Sequence, residues 1–182
     1  PFGGSVSIYR YMDGQWNLDE VRAEPGTGAL GASVAIDSIY LVVGDPHNDA
    51  MGWSAGAVYT YLLTSGVQDS GVLYSPDPNN GDAFGYSVDL DSTKLVVGAY
   101  GDDEAASGAG AAYLFEMQFG GAEPFFSFDL TQKLLPCTAV EGGLFGREVS
   151  IDGGVVAVAS PETEIPLMPG GSVTTFGNTA YI

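Results

Sequence analysis

The stretch DAFGYSVDLDSTKLVVGAYGDDEAASGAGAAYLF, residues 82–115, decides the fold, because related copies of it occupy residues 28–61 and 143–176. Each copy reads as a glycine motif, two apolar strands around a tight turn, an acidic loop and a third strand. The motif glycines of the three copies are separated by 54 and 61 residues. A recurring period of this size indicates a repeat architecture.

The apolar runs within the copies predict buried β-strands. Leu41-Val42-Val43-Gly44 and Leu95-Val96-Val97-Gly98 lack alternation, and we align Val155-Val156-Ala157-Val158 with them in the last copy. Strands of this kind must be covered on both faces. A β-propeller covers them, because each blade packs between two neighbours. The sequence therefore predicts an all-β chain of about three and a half four-stranded antiparallel blades, an open arc or part of a larger ring.

These residues resemble the FG-GAP repeat, the blade unit of the integrin α-chain β-propeller. Phe84-Gly85 followed by Leu95 to Ala99 is similar to the Phe-Gly…Gly-Ala-Pro pattern of that family. The turn Asp91-Ser92-Thr93 and its counterparts are too short for the calcium cage that integrin-type repeats carry there. The repeat divides one domain, residues 1–182, into these segments: the end of a preceding blade at 1–27, blades at 28–81 and 82–142, and a last, incomplete blade at 143–182.

The composition excludes several classes of partner. The chain has 182 residues with 23 acidic and 5 basic side chains, which gives a net charge of −18. Such a surface repels phosphate backbones and anionic lipids, so we expect no nucleic-acid partner and no binding to anionic membranes. No apolar run approaches the length needed to span a bilayer, so we expect no membrane insertion. The single cysteine, Cys137, cannot form an internal disulfide; it is either a small buried apolar residue or pairs with another chain.

The acidic loops between the second and third strands of each copy are the best binding candidates. By the geometry of the repeat they emerge on one face, where binding sites are commonly built on a rigid scaffold. The alternative is a solvated acidic rim without a specific site. Carboxylates at 102–104 suit calcium, which is the one possible cofactor; otherwise we expect none. The candidate residues, with one loop tryptophan, are Asp45, Asp49, Trp53, Asp102, Asp103, Glu104, Glu162 and Glu164.

Two short motifs typical of enzymes fail on their context. The dinucleotide fingerprint at 26–31 requires a helix after it, and a strand pattern follows. The nucleophile-elbow pattern at 52–56 requires a helix and a later histidine, but His47 precedes Ser54. Both segments are therefore interpreted as loops of the repeat.

The sequence favours a non-enzymatic extracellular or cell-surface module for protein–protein interaction, adhesion or assembly. Its partners would be other protein chains, including copies of itself, because an incomplete ring leaves strand edges and apolar faces bare. The alternative is a scaffold or accessory domain of a secreted enzyme acting on glycans, since paired carboxylates could serve glycoside hydrolysis.

Overall fold

A computed structural model describes residues 3–24, 28–64, 66–120, 126–162 and 172–177, the last segment as backbone only. Within these residues all regular secondary structure is β. The strands, in chain order, are β1 (Val6–Met12), β2 (Gln15–Arg22), β3 (Ser33–Asp37), β4 (Tyr40–Asp45), β5 (Ala57–Leu63), β6 (Val67–Leu73), β7 (Ser87–Asp91), β8 (Lys94–Ala99), β9 (Ala111–Phe119), β10 (Phe126–Leu134), β11 (Val149–Asp152), β12 (Val155–Ser160) and β13 (Ser172–Gly177).

The strands form four antiparallel sheets, each of them an up-and-down meander. We call β1 and β2 the leading hairpin, β3 to β6 the first blade, β7 to β10 the second blade, and β11 to β13 the third blade. Neighbouring sheets contact each other through their inner strands, as β3 does with β7 and β7 with β11. This arrangement is a partial β-propeller, so the predicted fold class is confirmed.

The core is divided into layers between neighbouring sheets. Val42 of the first blade belongs to the cluster that holds Val88 and Leu90 of the second blade. Leu41 and Val43, on the opposite face of the same strand, pack with the leading hairpin. Alternate residues of β4 therefore enter different layers, which is why the strand is apolar at every position.

The second strand of each blade ends at a glycine that contacts the phenylalanine–glycine turn of the next blade. A Cβ placed on Gly44 or Gly98 would lie 1.9 Å from the carbonyl oxygen of Gly85 or Gly146, respectively. The hydroxyl groups of Ser33 and Ser87, which lie opposite these glycines in the sheet, donate to the same carbonyls at 2.9 and 2.8 Å. The recurring strand-end glycine is thus required by a close approach between backbones.

The short turn between the first two strands of a blade also ties neighbours together. Asp91 accepts a hydrogen bond from the amide of Gly153 in the third blade at 2.9 Å. Asp37 accepts one from the amide of Ser92 in the second blade. The turn that carries a calcium cage in integrin-type repeats here carries an aspartate that bridges to the next blade.

The structure corrects the alignment of the third copy by one residue. Val156 faces Ile151 as Leu41 faces Ile36, so Val155 corresponds to Tyr40 and not to Leu41. Ala159 consequently stands where the other blades have Gly44 and Gly98. The error arose because the run from Val155 to Ala159 is apolar throughout and gives no alternation; the two-residue turn sets the register.

Two further expectations need correction. The sequence pattern predicts outer strands at 71–74 and 125–130, whereas β6 and β10 are longer and span residues 67–73 and 126–134. A register shift interrupts each of them, which hides their alternation in the sequence. Cys137 is exposed, so the interpretation of this residue as a buried apolar side chain is wrong.

Candidate interaction surface

The loops after β4 and β8 have the same internal hydrogen bonds. The buried side chains of Asn48 and Asp102 accept the amides of Ala50 and Glu104, both at 3.0 Å. The exposed side chains of Asp49 and Asp103 each accept a loop amide at 2.6 Å, from Ser54 and Gly108 respectively. These polar side chains therefore shape the two loops, whatever else they do.

The predicted binding residues fall into two groups by exposure. Asp45 is fully buried and accepts the amide of Ala29 at 3.2 Å, and Asp102 is 2 % exposed. Burial raises the pKa of Asp45, although a hydrogen bond from Asn48 partly offsets this. Five are exposed, and the last candidate, Glu164, lies outside the described residues. The exposed five, for which binding stays a prediction, are Asp49, Trp53, Asp103, Glu104 and Glu162.

Trp53 stands beside a shallow cleft where the first blade meets the second. Trp53 is 71 % exposed, and the cleft is also lined by His47 and Tyr100. Asn80 fixes the backbone here, because its side-chain oxygen accepts the amide of Trp53 at 2.8 Å. The cleft thus presents an exposed aromatic side chain on a hydrogen-bonded backbone.

One contact in this cleft has the composition of a nucleophile and its base. Nδ1 of His47 lies 3.3 Å from the hydroxyl oxygen of Ser54. The left-handed backbone of Ser54, with φ of 46°, is shared by Gly108 at the same loop position of the next repeat, with φ of 60°. The left-handed backbone is therefore a feature of the repeated loop and does not mark Ser54 as a nucleophile. The alternative of an enzyme domain that acts on glycans stays a prediction.

An ionic cluster built around the buried Asp102 joins the second blade to the loop before it. The ammonium of Lys133 donates to Asp77 at 2.7 Å, to Asp102 at 2.8 Å and to Glu104 at 2.7 Å. The hydroxyl of Tyr113 lies 2.7 Å from Asp77 and 2.9 Å from Asp102. We call these five residues the lysine cluster.

The electrostatics of the lysine cluster are set by burial and charge-assisted hydrogen bonds. Burial alone would lower the pKa of Lys133, but the hydrogen bonds to Asp102, Asp77 and Glu104 outweigh it and raise that pKa. Burial would raise the pKa of Asp77, yet the hydrogen bonds from Lys133 and Tyr113 lower it. Both shifts favour the ionised pair.

The lysine cluster bears on the calcium expectation. Two of the three proposed ligands, Asp102 and Glu104, already surround the ammonium of Lys133, and Asp103 accepts a loop amide. Within the residues that the structure describes, no group of three acidic, histidine or cysteine side chains is arranged to hold a metal ion.

Sequence reasoning missed Lys133, Asp77 and Tyr113 as partners of the acidic loop. A signal existed, since Lys133 is one of only 5 basic residues in an acidic chain. Its position in the outer strand, opposite Tyr113, depends on the register of β9 and β10. The first blade has Val72 opposite Tyr59 at the corresponding place, and Asn48 replaces Asp102.

Asp82 predicts a measurable pH dependence of stability. Asp82 is 1 % exposed, and one of its carboxylate oxygens has no hydrogen-bond partner. Burial, and after it the nearby charge of Asp102, raises the pKa of Asp82 to about 6, although a hydrogen bond from the amide of Asn79 acts in the opposite direction. The folded state therefore holds this proton more tightly than the unfolded state, and stability falls as the pH rises from about 4 to 6. We expect Asp82→Asn to raise the free energy of unfolding at pH 7.5 by about 1 to 3 kcal/mol, and by much less at pH 4.

Urea unfolding of both proteins at the two pH values checks the Asp82 prediction. Asp129→Asn is the matched control, because Asp129 is exposed in β10. A gain from Asp82→Asn that is equal at pH 4 and 7.5 would contradict the assignment of the proton to Asp82.

The first blade has an open face on the side of the leading hairpin. Val34 and Ile36 of β3 are 54 % and 62 % exposed. Their counterparts in the second blade, Val88 and Leu90, are 8 % and 7 % exposed, because the first blade covers them. The leading hairpin covers only the outer part of the first blade, through Ile8. We use the name open face for Val34, Ile36 and the edge of β1 with which no described strand pairs.

The leading hairpin is itself bare on its far side. Tyr9 and Tyr11 are 54 % and 62 % exposed, whereas Tyr61 and Leu63 at the matching positions of β5 are 1 % and 8 % exposed. Large neighbouring apolar groups of this kind mark interaction sites on proteins. None of the described residues forms a helix of the length and hydropathy that crossing a membrane requires.

Comparison with known proteins gives one family. The model of the FG-GAP repeat matches residues 68–115, which run from β6 of the first blade through β9 of the second. No curated protein matches the chain. The matched segment contains the Phe84-Gly85 turn, which contacts Gly44 of the first blade, and the strand-end glycine Gly98, which contacts Gly146 of the third blade.

Proposed function

Since this chain is an FG-GAP repeat protein, we propose that it is a non-enzymatic protein-interaction module that works outside the cell. It adheres to a partner protein, or assembles into a larger surface structure, through the open face. The observation that carries this proposal is the exposure of Val34 and Ile36, whose counterparts in both following blades are buried.

Energetics support a protein partner at this face. Burying two aliphatic side chains of this size contributes roughly 1.5 to 3 kcal/mol each. The edge of β1 offers backbone hydrogen bonds in addition, since β1 pairs with β2 alone among the described strands. Apolar surface beside an unpaired strand edge suits another polypeptide better than a small polar ligand.

The chemistry of the remaining surface agrees with an extracellular protein partner. The net charge of −18 keeps the chain soluble and disfavours nucleic acid. FG-GAP repeats are typically found in extracellular domains, which supports the proposed location.

The proposal is tested by the association of the chain with itself. In the absence of another partner we expect two open faces to pair, so that sedimentation velocity shows concentration-dependent association. Val34→Thr combined with Ile36→Thr should leave a monomer with an unchanged melting temperature, because threonine keeps the branched side chain that suits a strand.

The matched control replaces two exposed apolar residues elsewhere, Val72→Thr with Leu130→Thr, which are 41 % and 44 % exposed. This control should associate as the wild type does. A wild-type chain that stays monomeric at all concentrations, or association that survives the loss of Val34 and Ile36, would overturn the proposal.

A further inference from the structure

We infer that the cleft beside Trp53, which we call the tryptophan cleft, binds a neutral glycan chain, with one sugar ring stacked on the indole. This site goes beyond the proposed protein interaction, because no residue of the open face lines the cleft. The cleft has a volume of about 530 Å³ and lies where the first blade meets the second, both of which are complete four-stranded sheets. Openings of this size are typical of ligand sites.

The backbone that carries the indole is bonded across the boundary between the two blades. The amide of Trp53 donates to the side-chain oxygen of Asn80 at 2.8 Å, and its carbonyl accepts the amide of Gly81 at 2.8 Å. The carbonyl of the next residue, Ser54, accepts the amide of Ala83 at 3.0 Å. The attachment point of the indole is therefore set before a ligand arrives, which lowers the entropy cost of binding.

The second blade shows that folding of the loop does not require the indole. Ser107 stands 54 residues after Trp53, at the same loop position. Its carbonyl accepts the amide of Gly142 at 2.8 Å, as the carbonyl of Trp53 accepts that of Gly81. The same backbone frame therefore forms around a small side chain. An exposed tryptophan that neither packing nor the loop requires is the residue type that most often anchors a binding partner.

Polar groups line the cleft around the indole. His47 is exposed and turns Nδ1 towards the hydroxyl of Ser54, so its other ring nitrogen is open to a ligand. Asp49 is also exposed and uses one carboxylate oxygen for the amide of Ser54, which leaves the second oxygen as an acceptor. The ring of Tyr100 packs edge-on against Tyr86, with 4.5 Å between the centroids. The cleft thus combines an aromatic face with hydrogen-bonding groups of both kinds.

This combination suits a neutral sugar. A pyranose ring has an apolar C–H face and a rim of hydroxyl groups, so it matches an aromatic face that is bordered by polar side chains. The net charge of −18 disfavours acidic sugars. That charge attracts cations, but Asp49 is the one carboxylate among the described residues that line the cleft, and one of its oxygens is already bonded. A chain of glucose rings joined as in cellulose fits best, because its equatorial substituents leave both ring faces apolar.

The test is calorimetric titration of the 182-residue chain with three probes. Cellohexaose represents a polysaccharide, a released high-mannose N-glycan represents a glycoprotein, and hexalysine represents a basic peptide. We expect saturable binding of cellohexaose at one site, with the same affinity in about 0.5 M sodium chloride, because no charge attraction is involved. Stronger binding of the N-glycan at the same site would assign the sugar to a glycoprotein and would keep the inferred site.

Two variants locate the binding at the indole. Trp53→Ser copies the second blade, so we expect its melting temperature to stay within about 2 °C of the wild type while the affinity for cellohexaose falls at least about tenfold. The matched control is Trp16→Ala, which removes the other tryptophan, 69 % exposed in β2, and should leave the affinity unchanged.

A spectroscopic readout reports the stacking directly. In Trp16→Phe the indole of Trp53 is the single tryptophan of the chain, so cellohexaose should shift its fluorescence emission to shorter wavelength as the sugar covers it. Absence of saturable binding of both oligosaccharides to the wild type, or equal losses of affinity in Trp53→Ser and Trp16→Ala, would overturn the inference. Binding of hexalysine alone that Trp53→Ser abolishes would also overturn it, because the cleft would then serve a basic peptide.

Discussion

Gly98→Ala is expected to lower the free energy of unfolding by at least about 3 kcal/mol, a very large effect for one methyl group. The new Cβ would lie 1.9 Å from the carbonyl oxygen of Gly146 and 2.3 Å from the hydroxyl oxygen of Ser87. The hydroxyl can rotate away. The carbonyl cannot move away, because the amide of Gly146 donates a hydrogen bond to the carbonyl of Ala159 at 3.1 Å and so holds this turn within the third blade.

An opposing effect of alanine is too small to offset this collision. Alanine restricts the unfolded chain and gains about 0.4 to 1 kcal/mol where the folded backbone tolerates it. The net loss should lower the melting temperature by about 6 to 12 °C for a chain of this size. Amide exchange should show the third blade losing protection first, since the collision separates it from the second blade.

The control for Gly98→Ala is Gly66→Ala. A Cβ added at Gly66 would meet no atom within 4 Å, so this change should leave the melting temperature within about 2 °C of the wild type. If the free energy of unfolding of Gly98→Ala lies within about 1 kcal/mol of the wild type, the close backbone approach between the second and third blades is refuted.

The repeat made most of the fold predictable. Apolar runs such as Leu95 to Gly98, returning with their turns, indicated strands covered on two faces and hence blades. The prediction was wrong by one residue in the third copy, where Val155 to Ala159 has no alternation to fix the register. That single residue matters, because the correct register puts Ala159 in a glycine position and makes the third blade unlike the others.

The sites were less predictable because they depend on contacts between distant strands. The acidic loops were found from composition, yet nothing local distinguishes the buried Asp102 from the exposed Asp103. The partner of Asp102, Lys133, lies 31 residues further along the chain. The open face likewise became visible only when the exposure of Val34 was compared with that of Val88.

Lys133→Met is the other change with a large expected effect, a loss of about 3 to 5 kcal/mol in the free energy of unfolding. Most of it arises from Asp102, which is 2 % exposed and would be left as a buried, unpaired carboxylate. Asp77 and Glu104, at 45 % and 55 % side-chain exposure, are solvated and contribute less.

The control for the lysine cluster is Lys94→Met. Lys94 pairs with Glu116 at 3.2 Å, with side chains 47 % and 34 % exposed, and its loss should cost less than about 1 kcal/mol. If urea unfolding shows the same loss of unfolding free energy for Lys133→Met and Lys94→Met, the large effect expected from an unpaired, buried Asp102 is contradicted.

The first blade suggests a double variant that distinguishes the effect of charge from the effect of packing. In that blade Asn48 stands at the place of Asp102, and Val72 stands at the place of Lys133. The side chain of Asn48 donates to the hydroxyl of Tyr59 at 3.1 Å, and this contact corresponds to the one between Asp102 and Tyr113 in the second blade. Asp102→Asn combined with Lys133→Val should therefore recover to within about 1.5 kcal/mol of the wild type, because the buried charge and its partner leave together. If the double variant is as unstable as Lys133→Met, the loss comes from packing of the lysine stem and not from the unpaired carboxylate.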